Sequence, residues 1–169
     1  NIKLKTDMII REQFISKSKK NVLRGIHKSP YEKYVTVLSG KIIDYIIDFT
    51  GNQITYKKYI LDSEENNHIF IPANKGHLFI ALEDNTQLLY QLGGKYDPNK
   101  DININYKDPY INLDIRWDNK FILSEKDTNS KFIKPVDYVL MGSKGFLGSE
   151  IKKYLKQQNK NFVVLDTRL

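Results

Sequence analysis

Proton transfer near neutral pH depends first on histidine, and the chain has three: His27, His68 and His77. The imidazole pKa lies close to neutrality, so a histidine can take up and release a proton under physiological conditions. His27 differs from the others because it ends a polar, basic stretch, residues 16–27, of sequence Ser-Lys-Ser-Lys-Lys-Asn-Val-Leu-Arg-Gly-Ile-His. Residue type alone allows a structural histidine or a general base at this position.

A second group of residues has the spacing of a cofactor site. Gly142, Gly145 and Gly148 lie between a predicted strand and a predicted helix, and Asp166 follows 18 residues after the last glycine. In that context glycines permit a tight turn and the close approach of a pyrophosphate to a helix N-terminus. The Gly-Phe-Leu-Gly spacing resembles extended short-chain dehydrogenases/reductases, in particular nucleotide-sugar 4-reductases, and this resemblance implies an NAD(P)H site.

Only 34 residues follow Pro135, and no Tyr-x-x-x-Lys pair of that reductase family occurs among them. A doubly wound sheet needs several strands to form its cofactor crevice. We therefore expect residues 135–169 to be the truncated start of an NAD(P)-binding reductase domain in a longer, bifunctional protein. By itself this stub is expected not to bind NAD(P)H tightly.

Strand signals dominate the part of the chain that would position His27 and His77. Apolar and β-branched runs separated by turn residues predict strands at residues 34–38, 41–49, 54–61, 68–71, 77–82 and 87–92. Ile43, Tyr45, Ile47 and Phe49 recur at period two and should share one face. Short strands at regular spacing predict an antiparallel sandwich or barrel.

The later part of the chain has two different patterns. Residues 93–120 predict a long excursion over the barrel, with short strands at residues 102–106 and 113–117. Beyond Pro135 a βαβ unit is predicted, with strands at residues 136–140 and 162–165 and a helix at residues 149–158. We place the domain boundary at about residue 134, which divides the chain into residues 1–134 and 135–169.

Composition excludes several classes of protein. The chain is 40% apolar and 28% charged, as expected for a globular protein, and it has no cysteine for a disulfide scaffold or a thiolate metal site. It contains neither a run that could span a membrane nor a signal peptide, so we expect a cytoplasmic protein. The net charge of +7 fits a solvated, Lys-rich surface and also an anionic partner, but no nucleic-acid-binding motif occurs. A diphosphate metabolite fits this charge.

Residues 16–27 carry the strongest family signal, and further matches follow in order along the chain. They are Lys33, Gly40, Asp44, Ile71, Pro72, His77, Phe79, Tyr90, and residues 96–98, 108–109, 115–117 and 123–127. Together, over about residues 11–127, this set resembles the dTDP-4-dehydrorhamnose 3,5-epimerase family. The resemblance implies a mainly β fold, a cupin-type jelly-roll barrel.

The resemblance also implies acid–base chemistry on a nucleotide-linked 4-keto-6-deoxyhexose, with inversion at C3 and a second possible position at C5. The C4 ketone makes the C3 and C5 hydrogens acidic, so the reaction takes a base, an acid and a group that stabilises the enolate. The family's histidine base and its aspartate partner correspond to His27 and Asp127. The acid corresponds to Tyr90, and the enolate-stabilising cation corresponds to Lys33.

Binding residues and partners follow from the same resemblance. Arg24, His77, Ser16 and Lys17 would bind the substrate, a dTDP- or UDP-linked sugar, and the epimerase needs no cofactor. The family pairs two barrels, and exposed β edges need cover, so we expect a homodimer.

Cupin barrels often hold a metal through a His-x-His pair, a Glu and a later His. Ser29 stands two residues after His27, which leaves only His27, Glu32 and His77 as ligands. We therefore expect no metal.

The sequence departs from the family near the expected site. The loop between His27 and Lys33 is short, residues 28–29 are Lys-Ser instead of an aromatic–Gln pair, and Lys95 replaces a tyrosine. These departures predict a sugar or nucleotide different from the standard one.

Two other functions stay open. A 3,4-ketoisomerase of the same fold would move the keto group, but it normally uses the His-x-His pair that this chain lacks. A non-catalytic cupin would bind a nucleotide sugar without reacting, and the presence of His27, Tyr90 and Asp127 argues against it. Proton exchange at the sugar carbons distinguishes the three.

Overall fold

The computed structural model describes residues 7–51, 53–115 and 120–165. Within these residues the secondary structure is mostly β, with two helices. In chain order the elements are β1 (Glu12–Ser18), β2 (Leu23–Lys28), β3 (Lys33–Ser39), β4 (Lys41–Asp48), β5 (Thr55–Asp62), β6 (His68–Ile71), β7 (Gly76–Ala81), β8 (Thr86–Leu92), β9 (Ile102–Asn103), α1 (Glu125–Thr128), β10 (Tyr138–Met141), α2 (Phe146–Gln157) and β11 (Phe162–Leu165).

Strands β1 to β9 form two antiparallel sheets. One has the strand order β1-β8-β3-β6, and the other has the order β5-β4-β7-β2-β9. Val35 and Val37 of β3 pack in one buried cluster with Phe79 and Ala81 of β7. Because these residues come from different sheets, the sheets face each other across this core, as expected for a jelly-roll sandwich.

The five-stranded sheet is covered on its outer face as well. Tyr45 and Ile47 of β4 and Leu78 of β7 point away from the inner core and pack against residues 104–115. Every residue of β7 is buried for this reason. The predicted period-two face of β4 and the predicted excursion over the barrel are therefore confirmed.

The prediction of strands at residues 102–106 and 113–117 within this excursion is mostly wrong. Strand β9 contains only two residues, and residues 113–115 form no strand. Turn hydrogen bonds replace a ladder here: the amide of Asp108 donates to the carbonyl of Asn105, and the amide of Ile111 donates to the carbonyl of Asp108. Arg116 and Trp117, which belong to the predicted strand at residues 113–117, lie outside the described residues.

The C-terminal elements form a separate small unit. Strands β10 and β11 are parallel, and α2 connects them. Gly142 has φ +71°, and a side chain at Gly148 would collide with the carbonyl oxygen of Gly142, so the turn before α2 depends on glycine. Two paired strands and one helix do not define a Rossmann-like domain, and Asp166 lies outside the described residues. Across the described part of the chain, neither helix has the length and apolar character to cross a membrane.

Candidate active site

A cavity of about 410 Å³ lies between the two antiparallel sheets. Its walls include seven of the residues selected from the sequence: Ser16, Arg24, His27, Lys33, His77, Tyr90 and Asp127. Strands β2 and β7 contribute Arg24, His27 and His77 from one sheet, while β1, β3 and β8 contribute the side chains of the other. A ligand in this cavity would thus lie between two walls of different chemistry.

The wall formed by the five-stranded sheet holds a histidine–aspartate pair. Nε2 of His27 lies 2.7 Å from Oδ1 of Asp127, although 100 residues separate the two. His27 is 25% exposed, whereas Asp127 is only 2% exposed. The imidazole therefore reaches the cavity while its carboxylate partner stays behind it.

Three further hydrogen bonds fix Asp127, two to its carboxylate and one from its backbone amide. Ser124 is the N-cap of α1, and its hydroxyl donates to Oδ2 of Asp127 at 2.7 Å and accepts from the Asp127 amide at 3.1 Å. The amide of Gly25 donates to Oδ1 at 3.3 Å. Burial acts to raise the pKa of Asp127, but the hydrogen bonds from His27, Ser124 and Gly25 outweigh it and hold this pKa below its ordinary value.

Gly25 is needed where β2 approaches β7. Its φ is +125°, and a Cβ atom there would lie 2.5 Å from the carbonyl oxygen of His77 and 2.7 Å from Cα of Leu78. Only glycine fits this conformation and spacing. The approach places the Gly25 amide on Asp127 and brings His27 opposite His77 on the neighbouring strand.

His77 forms a second, deeper pair with Asp44. Nε2 of His77 lies 2.6 Å from Oδ2 of Asp44, and the two side chains are 4% and 0% exposed. Burial lowers the pKa of His77, the nearby charges of Lys33 and His27 lower it further, and Asp44 only partly opposes them. His77 is thus a neutral imidazole at neutral pH, held in one orientation.

Lys33 enters the cavity from the facing sheet. The side chain is only 6% exposed, and its Nζ lies 3.3 Å from Oγ of Ser29. Burial lowers the pKa of Lys33 to about 8, although the negative charges of Asp101 and Asp44 oppose this shift. The ammonium group is therefore charged at neutral pH, in a setting where its field is weakly screened.

Tyr90 lies on the same wall as Lys33. Its ring stacks on Phe14, with centroids 5.0 Å apart and an interplanar angle of 14°, and it meets His77 edge-on at 6.4 Å. Burial and the charge of Asp44 raise the pKa of Tyr90, while Arg24 lowers it. The phenol is therefore protonated throughout the physiological range.

One residue of the expected set does not line this cavity. Lys17 follows Ser16 on β1, and successive side chains of a strand point to opposite faces, so Lys17 lies exposed on the outer face.

Sequence reasoning missed several residues of the site. Phe14, Ser29, Tyr31, Asp101, Ser124 and Lys126 also line the cavity. Phe14 precedes Ser16 by two residues on one strand face, and Ser124 stands three residues before Asp127 in an N-cap pattern, so two signals were available. Asp44 was matched in the sequence, but nothing there paired it with His77.

The described residues contain no group of three His, Cys, Asp or Glu side chains arranged to hold a metal ion. His27 and His77 lie opposite each other, but each nitrogen Nε2 is already bonded to an aspartate.

Comparison with known proteins gives one consistent family. The family model described as dTDP-4-dehydrorhamnose 3,5-epimerase matches residues 2–134. The epimerase of Methanothermobacter thermautotrophicus is 36% identical over 124 residues, which cover 69% of this chain and 67% of the relative. The Escherichia coli epimerase is 31% identical over 119 residues, 66% of this chain and 64% of the relative. The Mycobacterium tuberculosis epimerase is 30% identical, and this chain spans 55% of its length.

Solved structures agree on the fold. A dTDP-6-deoxy-D-glucose 3,5-epimerase from Legionella pneumophila, in complex with dTDP-4-keto-L-rhamnose, has a TM-score of 0.67 at 28% identity, covering 75% of this chain and 70% of its own. RmlC from Streptococcus suis, in complex with dTDP-D-xylose, has a TM-score of 0.62 at 31% identity, covering 74% and 68%. A 3′-monoepimerase from Streptomyces bikiniensis, bound to dTDP-quinovose, has a TM-score of 0.69 at 24% identity, covering 75% and 67%.

Proposed function

The chain belongs to the dTDP-4-dehydrorhamnose 3,5-epimerase family, and from this premise we propose that it epimerises a nucleotide-linked 4-keto-6-deoxyhexose in the biosynthesis of an L-rhamnose-type sugar. C3 is the position that we assign, and C5 is the second position open to the same chemistry. The observation that supports this most is the His27–Asp127 pair, 2.7 Å apart, in one cavity with Lys33 and Tyr90.

His27 is the proposed base. With its Nε2–H donated to Asp127, the imidazole presents an unprotonated Nδ1, which can accept the hydrogen from C3. The carboxylate of Asp127 then stabilises the imidazolium that forms, and Ser124 and Gly25 hold that carboxylate in place. The bond that breaks is C3–H, and its electron pair enters the enolate.

Lys33 is the proposed partner of the enolate oxygen. As the C3 hydrogen leaves, negative charge develops on the C4 oxygen, and a buried ammonium group stabilises this charge more than the neutral ketone. Burial of Lys33 supports this role, because a poorly solvated cation gains most when negative charge develops beside it.

Tyr90 is the proposed acid. It lies on β8 of the four-stranded sheet, whereas His27 lies on β2 of the facing sheet. A sugar between the sheets would therefore meet the base on one face and the acid on the other, as inversion requires. The raised pKa of Tyr90 keeps its proton available for transfer to carbon.

Among the residues that the structure describes, Arg24 and Lys126 are the cations of the cavity that remain for the diphosphate. An Arg side chain pairs with phosphate oxygens in two parallel hydrogen bonds, and Lys adds a point charge. With the net charge of +7, they favour a dTDP- or UDP-linked substrate. No cofactor enters the proposed reaction.

The product of the reaction in D2O tests this function against the two alternatives. An epimerase incubated with the nucleotide-linked 4-keto-6-deoxyhexose incorporates deuterium at C3, or at C3 and C5, and inverts the labelled centre. A 3,4-ketoisomerase gives a 3-keto product. A binding module incorporates no label, and either of these two outcomes would refute the proposal.

We further propose that the active form is a homodimer and that residues 135–169 begin an NAD(P)-binding reductase domain. The parallel β10–α2–β11 unit and its glycine turn support the second proposal, as do the large apolar side chains that this unit exposes, for example Met141, Phe146 and Leu147. Sedimentation at micromolar concentration tests the homodimer, and the expected mass is twice 19.8 kDa.

A further inference from the structure

The loop between β2 and β3 contributes a phenol to the cavity that the proposed mechanism does not use. Tyr31 lines the cavity together with Ser29 and Lys33. The amide of Gly93, just after β8, donates to the carbonyl of Glu32 at 2.9 Å, so the chain already pairs with its neighbour before β3 begins. Residues two apart in an extended chain point to the same side, and Tyr31 and Lys33 therefore face the cavity together.

Packing and burial fix the state of the Tyr31 side chain. Its ring lies against Gly94, where an added Cβ would come within 2.8–2.9 Å of three Tyr31 atoms. Any larger residue at Gly94 would displace the ring. Burial, with the charge of Asp101, raises the pKa of Tyr31 to about 12. At neutral pH the phenol is therefore protonated and held in one place.

Ser29 connects Tyr31 to Lys33. The ammonium group of Lys33 donates to Oγ of Ser29 at 3.3 Å, and Ser29 is only 3% exposed. Because an ammonium group can only donate, the single proton of the Ser29 hydroxyl is left for another acceptor. A hydrogen bond with Ser29 lowers the pKa of Tyr31, which is the effect of a donor to the phenol oxygen. The direction of both bonds leaves the Tyr31 proton available to a ligand.

We propose that Tyr31 is a further catalytic residue, whose phenol donates a hydrogen bond to the C4 oxygen of the sugar beside Lys33, and that Ser29 positions both donors. This inference rests on the proposed function, because it uses the placement of the C4 oxygen at Lys33. A carbonyl oxygen has two lone pairs, so it accepts from the phenol and from the ammonium group at once. The bond from the phenol strengthens as the enolate forms, and it therefore stabilises the transition state more than the ketone.

Tyr31→Phe tests this role, since it removes the hydroxyl and keeps the ring that packs on Gly94. Exchange at C3 in D2O, measured over a range of concentrations of the nucleotide-linked 4-keto-6-deoxyhexose, gives kcat and KM separately. Removal of one oxyanion donor lowers kcat by about 10²–10³ where it has been measured, and we expect a fall of at least about tenfold. KM should stay within about threefold, because the interaction is made mainly in the transition state.

Tyr110→Phe is the matched control. It also removes one phenol hydroxyl from a loop, but this hydroxyl donates to the carbonyl of Pro135, and Tyr110 does not line the cavity of Tyr31. The control should keep the kcat and the KM of the unmodified chain.

Ser29→Ala tests the positioning of the two donors. Its kcat should fall by at least about threefold, with KM within about threefold. The double variant with Tyr31→Phe should lose less than the product of the two single losses, because Ser29 acts partly through the phenol. If Tyr31→Phe does not fold, as judged by thermal melting, the kcat of Ser29→Ala decides.

The outcomes separate this inference from the proposed function. An unchanged kcat in folded Tyr31→Phe, or a raised KM with kcat retained, overturns the catalytic role of Tyr31 and leaves the epimerase activity standing. Single losses that multiply fully in the double variant overturn the role of Ser29. Absence of exchange in the unmodified chain refutes the proposed function, and this inference with it.

Discussion

His77 and Asp44 form the more deeply buried of two histidine–aspartate pairs, with Nε2 of His77 2.6 Å from Oδ2 of Asp44 and at most 4% of either side chain exposed. The His27–Asp127 pair has nearly the same length, 2.7 Å, but its imidazole is 25% exposed. The same two residue types thus serve different purposes. The exposed imidazole can exchange protons with a ligand, while the buried one is fixed within the fold.

Asp44→Asn should destabilise the protein strongly. It replaces the charged acceptor of the neutral His77 imidazole with a neutral amide, and a buried hydrogen bond to a charged group contributes about 1.5–3 kcal/mol. Urea unfolding at pH 7 measures this loss, and Asp97→Asn is the control, because Asp97 pairs with Lys100 in an exposed position. A loss of free energy of unfolding below about 1 kcal/mol in Asp44→Asn would contradict a structural role for the buried pair.

Lys33→Met should abolish exchange and stabilise the fold at neutral pH. The pKa of Lys33 is lowered to about 8 in the folded protein from 10.5, so folding disfavours its charged form by up to about 3 kcal/mol below pH 8. The unfolded chain binds this proton more tightly, and the stability of the unmodified protein should therefore rise between pH 8 and 10.5. In Lys33→Met that rise should be absent. Urea unfolding at pH 7 and pH 10 checks both effects, and an unchanged pH dependence would show that Lys33 is not the buried cation described.

Tyr90→Phe should separate exchange from inversion. Abstraction by His27 remains possible, but the acid on the facing sheet is lost, so deuterium should return with the original configuration. Nuclear magnetic resonance of the sugar in D2O measures label and configuration together. Tyr34→Phe is a control from the same sheet, since Tyr34 packs on Phe70 and does not line the cavity. A proportional fall of exchange and inversion in Tyr90→Phe would mean that Tyr90 is not a separate acid.

The C-terminal unit should not hold NADPH by itself. A dinucleotide lies across a crevice formed by several strands, and the described residues 136–165 supply two. Fluorescence titration should show no dissociation constant below about 1 mM, which corresponds to only about 4 kcal/mol of binding free energy. Micromolar binding would show that the unit is a working site and that the division near residue 134 is wrong.

The local sequence pattern predicted the ends of most strands to within one or two residues. It could do so because the alternation of apolar and polar residues specifies both a strand and the face that it buries. It did not predict β1 or β2. Residues 12–18 lack clear alternation, and Gly25, with φ +125°, interrupts β2. His27 and Asp127 are 100 residues apart in the sequence, and they meet only because the N-cap at Ser124 lies against β2. A local sequence pattern could therefore not predict this pair. The family resemblance predicted that pair, whereas the positions of Asp101 and Tyr31 in the cavity became evident only from the structure.

The most direct test of the central claim is the rate of C3 hydrogen exchange in His27→Asn, compared with the unmodified protein, on the nucleotide-linked 4-keto-6-deoxyhexose in D2O. Asparagine keeps a polar side chain beside Asp127 but has no basic nitrogen, so the fold should persist, with a thermal melt close to that of the unmodified chain. We expect exchange at C3 by the unmodified chain and a loss of about three decades in the variant, or roughly 4 kcal/mol of barrier. Exchange in His27→Asn at a rate near that of the unmodified chain would contradict the assignment of His27 as the base.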